Sequence, residues 1–224
     1  MIKNQGNFER IKMKVILWDW DNTLADTIEP LKEAFNATFR HYGMSTITRE
    51  QMKIFMNSAG SKLFMDLFPD FDLNEVKQVY LKNYQENVFN LKLLPGAEEA
   101  LKWTKENGFI NILASNKHYL ILKKEAEISG MAKYFDDICG AEQFPENKPS
   151  KVFTDNALKN YTDFTYLFAV GDGVSDVKMA HNYSGGKAIL VGTNPNTAEF
   201  VDNPPDFSVK NLDKIPEILL QQVS

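Results

Sequence analysis

Four short runs of β-forming residues, KVILWDW (14–20), FINILAS (109–115), TYLFAVG (165–171) and KAILVG (187–192), are apolar almost without interruption. A strand with one face in water alternates apolar and polar residues. A continuous apolar run therefore marks a strand covered on both faces, as in a parallel sheet between helical layers. The intervening segments carry helical punctuation. PGAEEALKWTKENG has Pro95 near its first turn and closes on Gly108, KHYLILKKEAEISG closes on Gly130, and SKVFTDNALKNY and VSDVKMAHNY follow later strands. Strand alternating with helix predicts the α/β class, with a three-layer, Rossmann-like parallel sheet as core.

The segment 26–94 breaks this alternation. Leu31, Phe35, Phe39 and Tyr42 share one helical face up to Gly43, and Val76, Tyr80, Tyr84 and Val88 share another. TREQMKIFMNSAGSKLFMDLF between them reads as two shorter helices broken near Gly60, and the segment carries no strand signal. We expect an all-helical cap subdomain at 26–94, inserted after the first strand into a core made of 13–25 and 95–224.

Charge excludes some partners. Lys and Arg number 25 against 30 Asp and Glu, a net charge of −5 spread along the chain, so no basic face for nucleic acid or an anionic membrane is expected. Residues 1–14 have no apolar run of signal-peptide type, and no stretch reaches membrane-spanning length. Cys139 is the single cysteine and lies in FDDICGAE, which reads as a short buried strand rather than a nucleophile site. A cytoplasmic protein, monomer or homodimer, is expected.

Open parallel sheets bind ligands at the carboxyl ends of their strands. There the first run ends in Asp19 and Asp21, the second in Ser115 and Asn116, and the third in Gly171 and Asp172, with Asp176 four residues on. Lys148 lies upstream in ENKPSK. Clustered carboxylates are tolerable around a hard divalent cation, so Asp19, Asp172 and Asp176 are candidate Mg²⁺ ligands. Ser115, the amides around Asn116 and the Lys148 ammonium are candidates to hold an anion beside it. Anion, metal and a spare carboxylate suggest phosphoryl transfer, one aspartate as covalent nucleophile and Asp21 as the group that protonates the leaving oxygen and then activates water. The substrate expected is a small phosphorylated molecule.

DWDNTL resembles the first motif (DxDxT) of the haloacid dehalogenase superfamily. LASN resembles the second, Lys148 of NKPSK the third and GDGVSD the fourth, in the family's order. ASNK and GAEQFPENKPSKVF are most similar to its phosphoglycolate phosphatase-like branch. The resemblance implies a Mg²⁺-dependent phosphatase working through a phosphoaspartate on Asp19. Asp21 would be acid/base and lend its backbone carbonyl to the metal, Thr23 would position that loop, Ser115 and Lys148 would hold the phosphoryl group, and Asp172 would ligate the metal with Asp176 beside it. A sugar-phosphate mutase of the same superfamily, or a binding protein that keeps the fold without turnover, are the alternatives. Two departures stand out. Asn22 replaces a common glycine, a mild change because Asn tolerates positive φ. Lys151 occupies the place of a frequent second proline, and Lys148, which precedes Pro149, is preferred to it as the phosphate lysine. His118 reads as a first-turn helix residue. NSAGSK (57–62) is where a cap could reach the substrate, through Ser58 and Lys62.

Overall fold

A computed structural model describes residues 13–56, 65–87 and 91–223. Six strands form one sheet: β1 (Met13–Trp18), β4 (Phe109–His118), β5 (Asp137–Ala141), β6 (Phe164–Gly171), β7 (Lys187–Val191) and β8 (Phe207–Val209). Their order is β5-β4-β1-β6-β7-β8, every neighbouring pair parallel. β1 is central, with Trp18 beside Leu113 of β4 on one side and Val170 of β6 on the other. The chain winds outward one way from β1 through β4 to β5, then returns and winds the other way through β6, β7 and β8. The carboxyl end of β1 is thus the switch point where such sheets open a crevice.

Side-chain alternation splits the core into two layers. On one face Ile16, Trp18, Leu113, Phe168, Val170 and Ile189 pack against α4 (Ala97–Glu106), α5 (Tyr119–Ile128) and α8 (Ile215–Val223). On the other, Val15, Leu17, Ile112, Ala114, Leu167 and Ala169 pack against α6 (Lys151–Ala157) and α7 (Val174–His181). Every one of these strand residues is at most 2% exposed, as the unbroken apolar runs require. Cys139 lies in β5 and is buried. Burial holds its thiol up at about 12, so it stays protonated and behaves as a small apolar side chain.

Between the first and second core strands the described residues include α1 (Ile28–His41), α2 (Arg49–Met56) and α3 (Leu73–Asn87), with a further helical stretch at 65–67. They enclose a third cluster, with Phe35, Phe39, Met52, Phe68, Val76, Tyr80 and Tyr84, into which Ile121 of α5 also packs. Contrary to the sequence reading, the 26–94 segment does contain strand. β2 (Ala25–Asp26) and β3 (Lys92–Leu93) pair antiparallel, and the Leu94 N–H donates to the Leu24 carbonyl at 2.9 Å. Two-residue strands carry no periodicity to read, but they lay the outgoing and returning chains side by side.

Candidate active site

The loop after β1 is closed by its own backbone. Leu24 and Ala25 N–H groups both donate to the Trp20 carbonyl at 3.0 Å, and Asn22 takes φ +58°, the left-handed conformation that Asn tolerates. Trp18 and Trp20 are fully buried in the layer that faces α4, α5 and α8. The Asp19 N–H donates to the Val170 carbonyl of β6 at 2.8 Å, and its carboxylate accepts from Thr23 Oγ1 at 3.0 Å and from Lys148 Nζ. Asp19 is 5% exposed.

The other strand ends deliver the remaining groups. β4 loses its regular register against β5 between Ala114 and His118, and this irregular stretch carries Ser115, Asn116 and Lys117. Ser115 is buried, its Oγ accepting from the Lys117 N–H at 3.1 Å, and Asn116 Nδ2 donates to the Lys148 carbonyl at 2.9 Å. Lys148 Nζ also donates to the Ala114 carbonyl at 3.0 Å and to Asp176 Oδ1 at 2.8 Å. Lys151 by contrast lies at the surface, paired with Asp155. Beyond β6, Asp176 sits in the first turn of α7 and accepts from the Gly173 N–H at 3.1 Å. A Cβ on Gly171 would stand 2.1 Å from Asp176 Cγ, so only glycine allows that carboxylate to fold back over the strand end. Thr193 Oγ1, after β7, donates to the Asp172 carbonyl at 2.8 Å.

Asp19, Asp172 and Asp176 each bring a carboxylate oxygen within 4.8 Å of the others. Burial pushes the Asp19 carboxyl up to about 7, with Lys148 opposing and Asp176 and Asp21 adding. Burial pushes Asp172 up to about 8, helped by Asp19 and Asp176. For Lys148 burial acts downward, but the Asp176 and Asp19 charges outweigh it and its ammonium is held above the usual lysine range. Lys148 pairs with two of these three close carboxylates, Asp19 and Asp176, so the cluster is short of positive charge and of the hard oxygen-ligating kind that suits Mg²⁺.

Asp21 is engaged differently. Its Oδ1 accepts from Thr27 Oγ1 and pairs with Lys117 Nζ at 2.6 Å. Its carboxylate stands outside the three-residue group, leaving only the backbone carbonyl for the metal role the resemblance implies. His118 ends β4 and is the N-cap of α5 rather than a residue of its first turn, its ring accepting from the Leu120 N–H at 3.3 Å. Ser58 and Lys62 lie outside the described residues. A cleft of about 570 Å³ lined by Asp26, Glu29, Pro30, Glu33, Arg49, Leu91 and Lys92 shares no residue with the cluster, and its arginine is already paired with Glu29 at 2.5 Å and Asp26 at 3.4 Å.

Sequence reasoning missed a second buried network. Glu125 of α5 is fully buried and accepts from Trp20 Nε1 at 2.5 Å, from Tyr84 Oη and from Lys117 Nζ at 2.8 Å. Burial pushes the Glu125 carboxyl above the usual glutamate range, with Asp21 adding and Trp20 opposing, and burial lowers Lys117. The available signal was a glutamate on the apolar face of YLILKKEAEI, in line with Ile121, Leu122 and Ala126.

A sequence model of the haloacid dehalogenase-like hydrolases matches residues 16–191, most of the chain. The chain belongs to this family. Within the haloacid dehalogenase-like hydrolases it is 26% identical over 220 residues to a phosphoglycolate phosphatase of Vibrio parahaemolyticus, covering 92% of this chain and 96% of the relative. It is 28% identical over 208 residues to the phosphoglycolate phosphatase of Aquifex aeolicus, covering 90% and 97%. Among solved structures, a haloacid dehalogenase-like family protein from Streptococcus pneumoniae superposes with a TM-score of 0.77 at 19% identity, covering 92% of this chain and 98% of that one. A Thermotoga maritima protein described as a β-phosphoglucomutase superposes at 0.73 with 20% identity, covering 95% and 100%. At those identities the structures establish the haloacid dehalogenase-like fold. Among the described residues, no helix is long and apolar enough to cross a membrane.

Proposed function

We propose that this chain is a Mg²⁺-dependent phosphatase of small phosphomonoesters, turning over through a phosphoaspartate on Asp19. The observation that carries this is the switch-point cluster, where Asp19 is held by Thr23 and Lys148 beside two further buried carboxylates. An Asp19 carboxylate oxygen attacks phosphorus and the ester P–O bond breaks. Asp21 gives its proton to the departing oxygen. Water then attacks phosphorus, Asp21 takes its proton, and the bond to Asp19 breaks to release phosphate and restore both carboxyl groups. Asp19, Asp172, Asp176 and the Asp21 backbone carbonyl are the residues to hold Mg²⁺, which when bound neutralises phosphoryl charge. Ser115 and Lys148 orient the phosphoryl group, with Asn116 tying their two loops together.

The helical segment 26–94 is proposed as a cap that excludes bulk water and reads the rest of the substrate, Ser58 and Lys62 included. Relatives named phosphoglycolate phosphatase make phosphoglycolate the first candidate. The fold shared with a protein described as a phosphoglucomutase keeps one rival in view, return of the phosphoryl group to a sugar. Phosphate release and isomer formation, measured over a panel of phosphorylated metabolites with Mg²⁺ or chelator, separate the readings. Chelator-sensitive phosphate release supports hydrolysis, isomer without phosphate supports the mutase, and no turnover of any member or of an aryl phosphate supports a binding role.

A further inference from the structure

Lys117, Glu125 and Tyr84 form a buried ionic chain that ends on Asp21 and that the chemistry above does not use. Lys117 leaves the irregular end of β4 with its side chain 5% exposed. Its ammonium spans two carboxylates, Asp21 at 2.6 Å and Glu125 at 2.8 and 3.0 Å. Glu125 is pinned from two further directions, by the Trp20 indole of the Asp19 loop and by the Tyr84 hydroxyl. Lys117 also lies 5.6 Å from the centre of the Tyr84 ring. Tyr84 belongs to α3, in the inserted helical segment, whereas Lys117, Glu125 and Trp20 belong to the core. The chain therefore crosses from one unit to the other beside the first strand's carboxyl end, where Ile121 of α5 joins the inserted helices' apolar cluster.

Burying two carboxylates and an ammonium is weak as a source of stability, since desolvation offsets most of the attraction. What such a network does well is fix geometry. Both donors to Asp21, Thr27 and Lys117, converge on Oδ1, which leaves Oδ2 as the oxygen to face a leaving group.

We propose that Tyr84, Glu125 and Lys117 are positioning residues that make the orientation of the Asp21 carboxylate depend on α3 being seated against α5. This rests on the acid/base role of Asp21. With α3 seated, the Tyr84 hydroxyl and Trp20 indole hold Glu125, Glu125 holds the Lys117 ammonium, and the ammonium holds Oδ1. With α3 withdrawn, Glu125 loses a donor and Lys117 is free to follow it, so proton transfer is competent only when the inserted helices are in place.

The test compares single-turnover release of the leaving group from p-nitrophenyl phosphate, whose phenolate departs with little protonation, and from 2-phosphoglycolate, whose alkoxide does not. Tyr84→Phe, Glu125→Gln and Lys117→Met are expected to slow the alkyl ester by about 10- to 100-fold and the aryl ester by less than about 3-fold, the size of effect a mispositioned proton donor gives. Lys117→Arg is expected to recover part of the loss. A purely structural role would slow both esters together. Asp21→Asn is the control. If it shows the ester dependence and Tyr84→Phe, the mildest of the three for folding, does not, the relay is overturned alone. If Asp21→Asn shows none, the acid/base reading fails and the relay fails with it.

Discussion

Replacing Lys148 with methionine tests the electrostatic account of the cluster. The substitution keeps the buried stem and removes an ammonium that donates to Asp19, to Asp176 and to the Ala114 carbonyl. Breaking a buried ion pair from one side costs about 3–5 kcal/mol, because the partner charges stay buried and unpaired. For a chain of this size one kcal/mol moves the midpoint by about 2–4 °C, so a fall of about 6–20 °C is expected in metal-free buffer. The pH dependence follows from the raised carboxyls. Asp19 is held at about 7 and Asp172 at about 8 in the folded protein, both above their unfolded value of 3.8. Carboxyls raised on folding contribute stability that is present at low pH and is lost as pH rises through the folded values. Without Lys148 the protonated forms are favoured further, so the penalty is smaller near pH 5 and grows as pH rises through and beyond about 8, where the parent's Asp19 and Asp172 ionise beside the ammonium and the variant's do so without it. Calorimetry of parent and variant at both pH values, in chelator, gives the answer. A midpoint shift that is the same at both, or a variant as stable as the parent above pH 8, would refute the reasoning.

Three further outcomes are expected. Stabilisation by Mg²⁺ in thermal unfolding should grow from pH 6 to pH 8.5, as Asp19 and Asp172 shed the protons a cation must displace; a gain that shrinks over that range would place the metal elsewhere. Gly171→Ala should displace Asp176, lowering stability by about 1–3 kcal/mol and weakening Mg²⁺ binding measured by calorimetric titration, whereas unaltered binding would show that Asp176 is not needed there. Asp21→Asn should slow formation and breakdown of the phosphoenzyme alike, by about 10²-fold or more, and rapid-quench traces in which only one step slows would divide the two roles between groups.

The parts legible in the sequence are those whose physics is local. Unbroken apolar runs mark the buried strands, and residue types rare at strand ends mark Asp19, Asp172 and Asp176 as one neighbourhood. Asn22 was readable because positive φ restricts residue choice, and it adopts that conformation. The order of the sheet puts β1 between β4 and β6, so the loops carrying Asp19, Ser115 and Asp172 had to meet. What stayed hidden depends on partners far away in the chain. The β2–β3 ribbon and the three-residue β8 are too short to show a period. Glu125 lies on the apolar face of its helix, but nothing nearby in the chain names its partners, and Tyr84 reads as packing until its hydroxyl finds Glu125, 41 residues on. Lys117 gains meaning only when the register of β4 breaks and turns it toward Asp21.

The central claim is that Asp19 carries the phosphoryl group. Acid-quenching the enzyme during turnover of a labelled phosphomonoester, followed by peptide mass spectrometry, tests it directly. One phosphoryl group is expected on the peptide containing Asp19, and none in Asp19→Asn, which should also lack turnover. Label on another residue, or turnover by Asp19→Asn within about tenfold of the parent, would contradict it.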